Sequence, residues 1–364
     1  MQRRRIQRVT TAGLATAAIA SLVAACGSSG SSGSSASSSS SSSSSAAALS
    51  GTLNGSGSTL QLTFQQAAIQ GFKSVQSGMT VNYGAGGSGK GRTDLAAGTV
   101  NYAGSDSPIP SAEIAGFKGK TVLYFPDVIA PVTVSYNLSG VNSLKLSAPV
   151  IAGIFQGTIK TWNDSAIKAD NPGVSLPSTA ITIAHRSDSS GTTANFSNFL
   201  VKATGDGWKL STGSTISWPA TSRGGNGNGG VAQIIKSTAG AIGYVDYSDA
   251  KASGLTFASI KNQAGQYVAP SVSSAAAAAS QTTVAPDLTF SAIWAPGAAS
   301  YPITAQSWVL IYQAQSSKTT AKMLQAWVSY LVGPGQQLLS SLGFAPVPSK
   351  IDQMAKAQIS KIGS

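Results

Sequence analysis

"YGAGGSGKG", residues 83–91, nearly spells the phosphate-gripping loop of nucleotide-binding proteins: Gly84, four residues, then Gly89 and Lys90. It departs at the last position, where Gly91 stands in place of the Ser or Thr whose hydroxyl holds magnesium. The loop follows "MTVNYG", a run with the alternation of a strand. A glycine-rich turn of this kind brings backbone N–H groups close to an anion without a Cβ in the way. Whether that anion is a nucleoside triphosphate depends on where the chain works.

The N-terminus points outward from the cytoplasm. "MQRRRIQRVTT" is basic and carries no acid, "AGLATAAIASLVAA" is apolar but short for a lasting membrane span, and "VAAC" ends the segment at Cys26. Residues 1–25 read as a secretory signal. The small residues before the chain's single cysteine have the pattern of a bacterial lipobox, so Cys26 is expected to carry lipid and anchor the chain to the membrane. Residues 26–50 are almost entirely Gly, Ser and Ala and offer nothing to bury, which makes them a tether with a reach of roughly 25–30 Å. A nucleoside triphosphate is a poor guess in that compartment.

With no second cysteine there is no disulfide, and a buried core must supply the stability. From Gly51 onward the length suits two ordinary domains. The formal charge of +12 includes Arg3, Arg4, Arg5 and Arg8, which leave with the signal; 20 basic residues then face 12 acidic ones, a net charge of about +8. That mild positive field suits an anionic ligand. Nucleic acid does not fit, because no run interleaves basic residues with aromatics.

Short apolar runs alternate with helical periods, the pattern of an α/β protein. "MTVNYG", "TVLYFP", "VIAPVTVSYN", "AITIAHR", "GAIGYVDY" and "PITAQSWVLIY" read as strands. "TLQLTFQQAAIQGFKSV", "SAPVIAGIFQG", "SGTTANFSNFLVKAT", "VAQIIKST", "TTAKMLQAWVSYLVG" and "GQQLLSSLG" read as helices, and the alanine-rich "SVSSAAAAASQ" as a surface helix. Gly and Ser cluster in "GSGST", "GAGGSGKG", "GSDSP" and "SDSSGTT", each following an expected strand. Ligands of open α/β sheets bind outside the carboxyl ends of strands, so these four loops are expected to converge.

Thr59, Ser88, Ser190, Gly191 and Thr192 would supply hydroxyl and backbone donors there, and Arg186 a planar fork that grips two oxygens, with Asp188 holding it. Asp106 is the odd member. A carboxylate repels an anion unless the anion brings a proton to donate.

In order and spacing, "GSGST", "YGAGGSGKG", "YAGSDSP" and "HRSDSSGTT" resemble the four ligand loops of the bacterial phosphate-binding protein that serves the phosphate ABC transporter. The resemblance continues through "IKTWND", "NPGVSLPSTAIT", "TISWP", "GAIGYVDY" and "YPITAQSWVLIY". It implies an α/β, two-lobed periplasmic-binding-protein fold of type II, with the chain crossing between lobes near Phe125 to Ile129 and near Tyr301 to Thr304. Lobe I would be 51–126 plus 303–364, lobe II 127–302, closing on the ligand by hinge motion. It implies inorganic phosphate as ligand, held by Thr59, by the main-chain N–H of Leu60, and by Ser88, Asp106, Arg186, Ser190, Gly191 and Thr192, with Asp188 orienting Arg186. The partners it implies are the permease subunits. No cofactor, no metal and no catalysis are expected, and a monomer is. Lys90 departs from the family loop and is expected to face solvent.

Three other readings compete. His185, the only histidine, lies near Ser190 and Asp188, as a hydrolase would need, but strand alternation turns it away from Arg186, and there is no G-x-S-x-G elbow and no zinc-binding cluster. A site for sulfate or molybdate conflicts with Asp106. A surface adhesin or sensor built on the same fold stays open.

Overall fold

The computed structural model describes residues 49–363. The chain opens with β1 (Gly51–Gly57), α1 (Leu62–Val75), β2 (Met79–Ala85), α2 (Ser88–Ala97) and β3 (Tyr102–Ser105). The long β4 (Val122–Tyr136) leads to β5 (Lys145–Leu146), α3 (Ala148–Phe155), α4 (Ser165–Asp170), β6 (Thr182–Arg186), α5 (Gly191–Thr204), β7 (Arg223–Gly225), α6 (Gly227–Ser237), β8 (Ala241–Asp246) and α7 (Tyr247–Ala252). Three short strands, β9 (Thr256–Phe257), β10 (Ser259–Lys261) and β11 (Tyr267–Val268), precede α8 (Val272–Ala279); β12 (Thr304–Tyr312), α9 (Lys318–Leu331) and α10 (Ser349–Gln358) end the fold.

The main sheet has the order β2-β1-β3-β12-β4-β8-β6-β7, with β9 added beside β4, and β11-β10-β5 form a separate sheet. β1 pairs in parallel with β2 and β3, and β6 pairs in parallel with β7 and β8, so the carboxyl ends within each group lie side by side. β4 joins the groups. Val122–Pro131 pairs antiparallel with β12, and Val132–Tyr136 pairs antiparallel with β8.

β4 corrects the sequence reading, which divides it into two strands. The register with β12 jumps from Ser307 opposite Val128 to Trp308 opposite Pro126, leaving Asp127 as the extra residue of a bulge. Pro126 lacks an N–H to give to the ladder, and a bulge is where a sheet tolerates that loss. The proline that suggests a break therefore marks a bend in one continuous strand.

Helices form where the apolar period meets a buried face. In α1, Phe64, Ala68 and Phe72 repeat every four residues and are buried, Phe72 with its ring 5.1 Å from Trp327 and 5.4 Å from Tyr330 of α9. Val75, whose spacing in the sequence puts it on the same face, is 59% exposed because it is the last residue of the helix. "GQQLLSSLG" forms two short 3-10 turns, Pro334–Leu338 and Ser340–Leu342, instead of a helix. Pro334 opens the segment and Gly343, at φ +89°, closes it, and between them the chain takes the tighter turn. The alanine helix α8 is not simply a surface element either. It packs on β4 and buries Ala275, Ala278 and Ala279, because small side chains let a helix lie close on a sheet. The signal, Cys26 and most of the tether lie outside the described residues.

Candidate functional site

Asp106 is the first residue beyond β3 and is 1% exposed. Its Oδ1 accepts hydrogen bonds from Ser58 Oγ and Ser307 Oγ, both at 2.6 Å, and its Oδ2 accepts from Ser88 Oγ at 3.3 Å. Ser88 Oγ in turn accepts the Asp106 N–H at 3.1 Å. Each partner is placed by the sheet: Ser58 directly follows β1, Ser88 opens α2, and Ser307 lies in β12 beside β3. Among the described residues no Lys or Arg forms an ion pair with this carboxylate. Burial pushes the Asp106 carboxyl above the usual carboxylate range, against the Ser307 and Ser58 hydrogen bonds, the Arg186 charge and the Ser88 bond.

The serines have support of their own behind them. Gln61 Nε2 donates to Ser307 Oγ at 2.5 Å and to the Trp308 carbonyl at 2.9 Å, and Gln65 Nε2 donates to Gln61 Oε1 at 3.1 Å. The amides fix the Ser307 hydroxyl and the Leu60 N–H fixes that of Ser58; both hydroxyls hold Asp106 Oδ1, so Oδ2 is the carboxylate oxygen with room for a further donor. Asp127, in the β4 bulge, ends this chain with Gln65 Nε2 3.5 Å from its Oδ2. It is fully buried, and burial followed by the charge of Asp106 drives its carboxyl far above the usual range. Arg92 of α2 is also fully buried, paired with Glu113 at 2.6 Å, and its Nη1 reaches Ser105 Oγ at 3.1 Å and Ser107 Oγ at 3.2 Å on either side of Asp106.

Arg186, the last residue of β6, is the cationic counterpart and is 4% exposed. Its Nε donates to Asp188 Oδ1 at 2.7 Å, its Nη2 donates to Asp188 Oδ2, and its Nη1 lies 3.3 Å from Thr192 Oγ1. Burial alone would raise the Asp188 carboxyl, but the Arg186 hydrogen bonds and charge outweigh it and hold it below its ordinary value. α5 begins immediately afterwards. Ser190 caps it by accepting the Thr193 N–H at 3.1 Å, which leaves the N–H groups of Gly191 and Thr192 without intrahelical acceptors.

The two groups of strands meet at this point. Gly89 N–H donates to the Ser189 carbonyl at 3.0 Å, and Asn195 Nδ2 bridges the carbonyls of Asp106 at 2.6 Å and Gly191 at 2.9 Å. A Cβ on Gly191 would collide with Ser88 Oγ and lie 2.6 Å from Asp106 Oδ2. Thr59 Oγ1 lies 3.1 Å from Asn228 Nδ2, whose other contact is Thr192 Oγ1 at 3.4 Å. Thr59, Ser88, Asp106, Arg186, Asp188, Ser190, Gly191 and Thr192 are thus gathered in one place. Leu60 is there too, with a difference: its main-chain N–H, expected to face a ligand, donates to Ser58 Oγ at 3.1 Å.

The departure from the nucleotide loop has a packing cause. A Cβ at Gly91 would sit 2.7 Å from both Gly57 Cα and the Ser56 carbonyl, because α2 lies directly on the ends of β1 and β3. No Ser or Thr fits. Lys90 turns away along its own helix to Asp94, with Nζ 2.7 Å from Oδ2 and the side chain 56% exposed. Sequence reasoning missed Ser307, Gln61, Gln65, Arg92, Asn195 and Asn228. A polar residue in the buried β12 was the available signal for Ser307; Gln61, just before α1, and Gln65 within it carried none.

His185 is not aimed at Ser190. Its Nδ1 lies 2.9 Å from the Arg186 carbonyl and its ring stacks on Trp218 at 5.2 Å, while burial lowers its pKa.

The family described as a PBP superfamily domain matches residues 42–334. The phosphate-binding protein PstS of Xylella fastidiosa (strain 9a5c) is 36% identical over 289 residues, 77% of this chain and 78% of that protein. A phosphate-binding protein PstS 3 of Mycobacterium tuberculosis (strain CDC 1551 / Oshkosh) is 32% identical over 323 residues, covering 85% and 86%. In fold, the chain is similar to a high affinity periplasmic phosphate-binding protein (PfluDING) solved with phosphate bound, at a TM-score of 0.71 and 22% identity over 85% of this chain and 94% of that one. Its mixed sheet is therefore that of the two-lobed periplasmic binding proteins, and the chain belongs to the PBP superfamily and, within it, to the PstS family of phosphate-binding proteins.

Proposed function

We propose that this protein captures inorganic phosphate outside the cytoplasm and delivers it to the permease of an ABC transporter. The observation that carries the reading is the contrast within one cleft: a carboxylate held by hydroxyls and no cation, facing a guanidinium, a helix N-terminus and a ring of hydroxyl donors. Donors and positive charge take the phosphate oxygens. Asp106 Oδ2 takes the proton that a phosphate monoanion or dianion carries. Sulfate has the same shape and no such proton at neutral pH, so its oxygen would face a carboxylate in a poorly solvated site. A site built around a ligand hydroxyl rejects the analogue lacking it by about 10⁴ to 10⁵.

Thr59, Leu60, Ser88, Asp106, Arg186, Ser190, Gly191 and Thr192 form the proposed ligand set, in which the Leu60 N–H would have to leave Ser58 Oγ to reach the anion. Lobe I comprises 51–126 plus 303–364 and lobe II 127–302, with the bend at Asp127 as one hinge. Lipid on Cys26 holds the protein to the membrane, and no helix among the described residues is long and apolar enough to cross one. The protein is a monomer and not an enzyme: Ser190 Oγ serves as a helix cap, and His185 is engaged elsewhere.

Titration calorimetry at neutral pH tests this. Phosphate is expected to bind, and excess sulfate to leave that binding intact; equal competition by sulfate would remove the assignment. Incubation with a chromogenic phosphomonoester is expected to release no product.

A further inference from the structure

Asn228 is absent from the proposed ligand set, yet its side chain touches both walls of the cleft. It is the second residue of α6 and fully buried. Its Oδ1 has no donor among the described residues, so the nitrogen end holds the side chain in place. Gly227 sets the approach. Its φ is +67°, a Cβ there would lie 3.3 Å from Thr59 Cγ2, and its N–H donates to Asp188 Oδ1 at 3.1 Å. The turn entering α6 is thus pressed onto Thr59 and tied to the Arg186–Asp188 pair.

A hydroxyl has two lone pairs and one proton. Thr192 Oγ1 receives Arg186 Nη1 at 3.3 Å and Asn228 Nδ2 at 3.4 Å, which occupies both lone pairs. Thr59 Oγ1 receives Asn228 Nδ2 at 3.1 Å and, at 3.4 Å, the Asn228 N–H. Both hydroxyls are left with only their protons to offer. The geometry points to Asn228 as a positioning residue that keeps the Thr59 and Thr192 hydroxyls as donors toward a tetrahedral oxyanion and ties the two walls together. This deepens the phosphate reading and rests on it.

The test is phosphate titration of the purified full-length protein and its variants. If the wild type does not bind phosphate, the functional reading falls and takes this inference with it. If the wild type binds, Asn228→Ala is expected to bind about 10- to 100-fold more weakly, and to lose less when Thr59 is already Ala. Equal binding, or a loss that adds fully to that of Thr59→Ala, overturns the inference alone.

Asn228→Asp keeps the volume and carries the test if truncation unfolds the chain. Its carboxylate accepts where the amide donates, so both hydroxyls turn toward it and binding at pH 8 is weaker than in the Ala variant. As pH falls toward 5 the new carboxyl regains a proton, and the gap to the wild type narrows. The charged groups facing it are Arg186 and Asp188 beside α6 and Asp106 across the cleft; all are common to both proteins, so the ratio of affinities isolates the new group. A ratio that stays flat with pH would mean a purely structural Asn228.

Discussion

Asp106 and Asp188 are the same residue type, each set just past the end of a strand in the same cleft, and the fold treats them in opposite ways. Asp188 has a guanidinium against both its oxygens and a backbone N–H behind it, and its carboxyl is held below the ordinary value. Asp106 has only hydroxyls, and burial pushes its carboxyl up. Asp188 is spent on Arg186. It holds the fork in place through Nε and Nη2 and leaves N–H groups along the Nη1–Nη2 edge uncommitted to it. Asp106 keeps an oxygen in reserve. Under the proposed function this pair of aspartates divides the work, one aiming the charge that attracts phosphate and the other accepting the proton that phosphate carries.

The largest expected effect comes from erasing the difference. Asp106→Asn keeps the shape and adds a donor where an acceptor stood, so preference for phosphate over sulfate is expected to fall by a factor on the order of 10⁴ in competition calorimetry. Unchanged selectivity would make Asp106 a structural residue. The wild type approaches the same state in acid. A raised pKa means that the accepting form is lost as pH falls through a value above the ordinary carboxylate one, so sulfate competition should grow toward low pH in the wild type and stay level in the variant.

Arg186→Leu breaks the other side. Phosphate affinity is expected to drop about 10²- to 10³-fold, and the stranded Asp188 to cost about 3 kcal/mol of stability in thermal denaturation. Adding Asp188→Leu should return stability without returning affinity. If affinity returned as well, the guanidinium would not be the group that binds. Gly191→Ala pushes a methyl between Ser88 and Asp106 where the walls meet, and titration should show binding about tenfold weaker, with Asp106 still discriminating against sulfate. The smallest effect belongs to Lys90→Ala. Its exposed pair with Asp94 is worth at most about 0.5 kcal/mol, and phosphate affinity should stay within about twofold. A large loss there would move Lys90 into the site.

The glycine and serine clusters were legible because they obey local rules: each follows a strand, and three of the four lead into an α-helix that begins with free N–H groups. Ser88, Arg186 and Ser190 could be found that way. Ser307 could not, since it lies inside a strand and becomes a ligand of Asp106 only because β12 returns from the far end of the chain to lie beside β3. Gln61 and Gln65 read as part of an amphipathic helix, and nothing local says that their amides face a buried hydroxyl. Asn228 and Asn195 join the cleft from elements that contact it only after the sheet is assembled. The bulge at Asp127 was hidden by Pro126, a residue that means a break in isolation and a bend in context.

By itself the sequence determined the α/β alternation and the order of the four glycine- and serine-rich turns, because those depend on composition and on spacing of a few residues. Tertiary structure decided which carboxylate meets a cation and which does not, and so which of them is spent and which is poised. The reason is electrostatic: a pKa depends on burial and on the partners within a few ångströms, and those partners come from segments far apart along the chain.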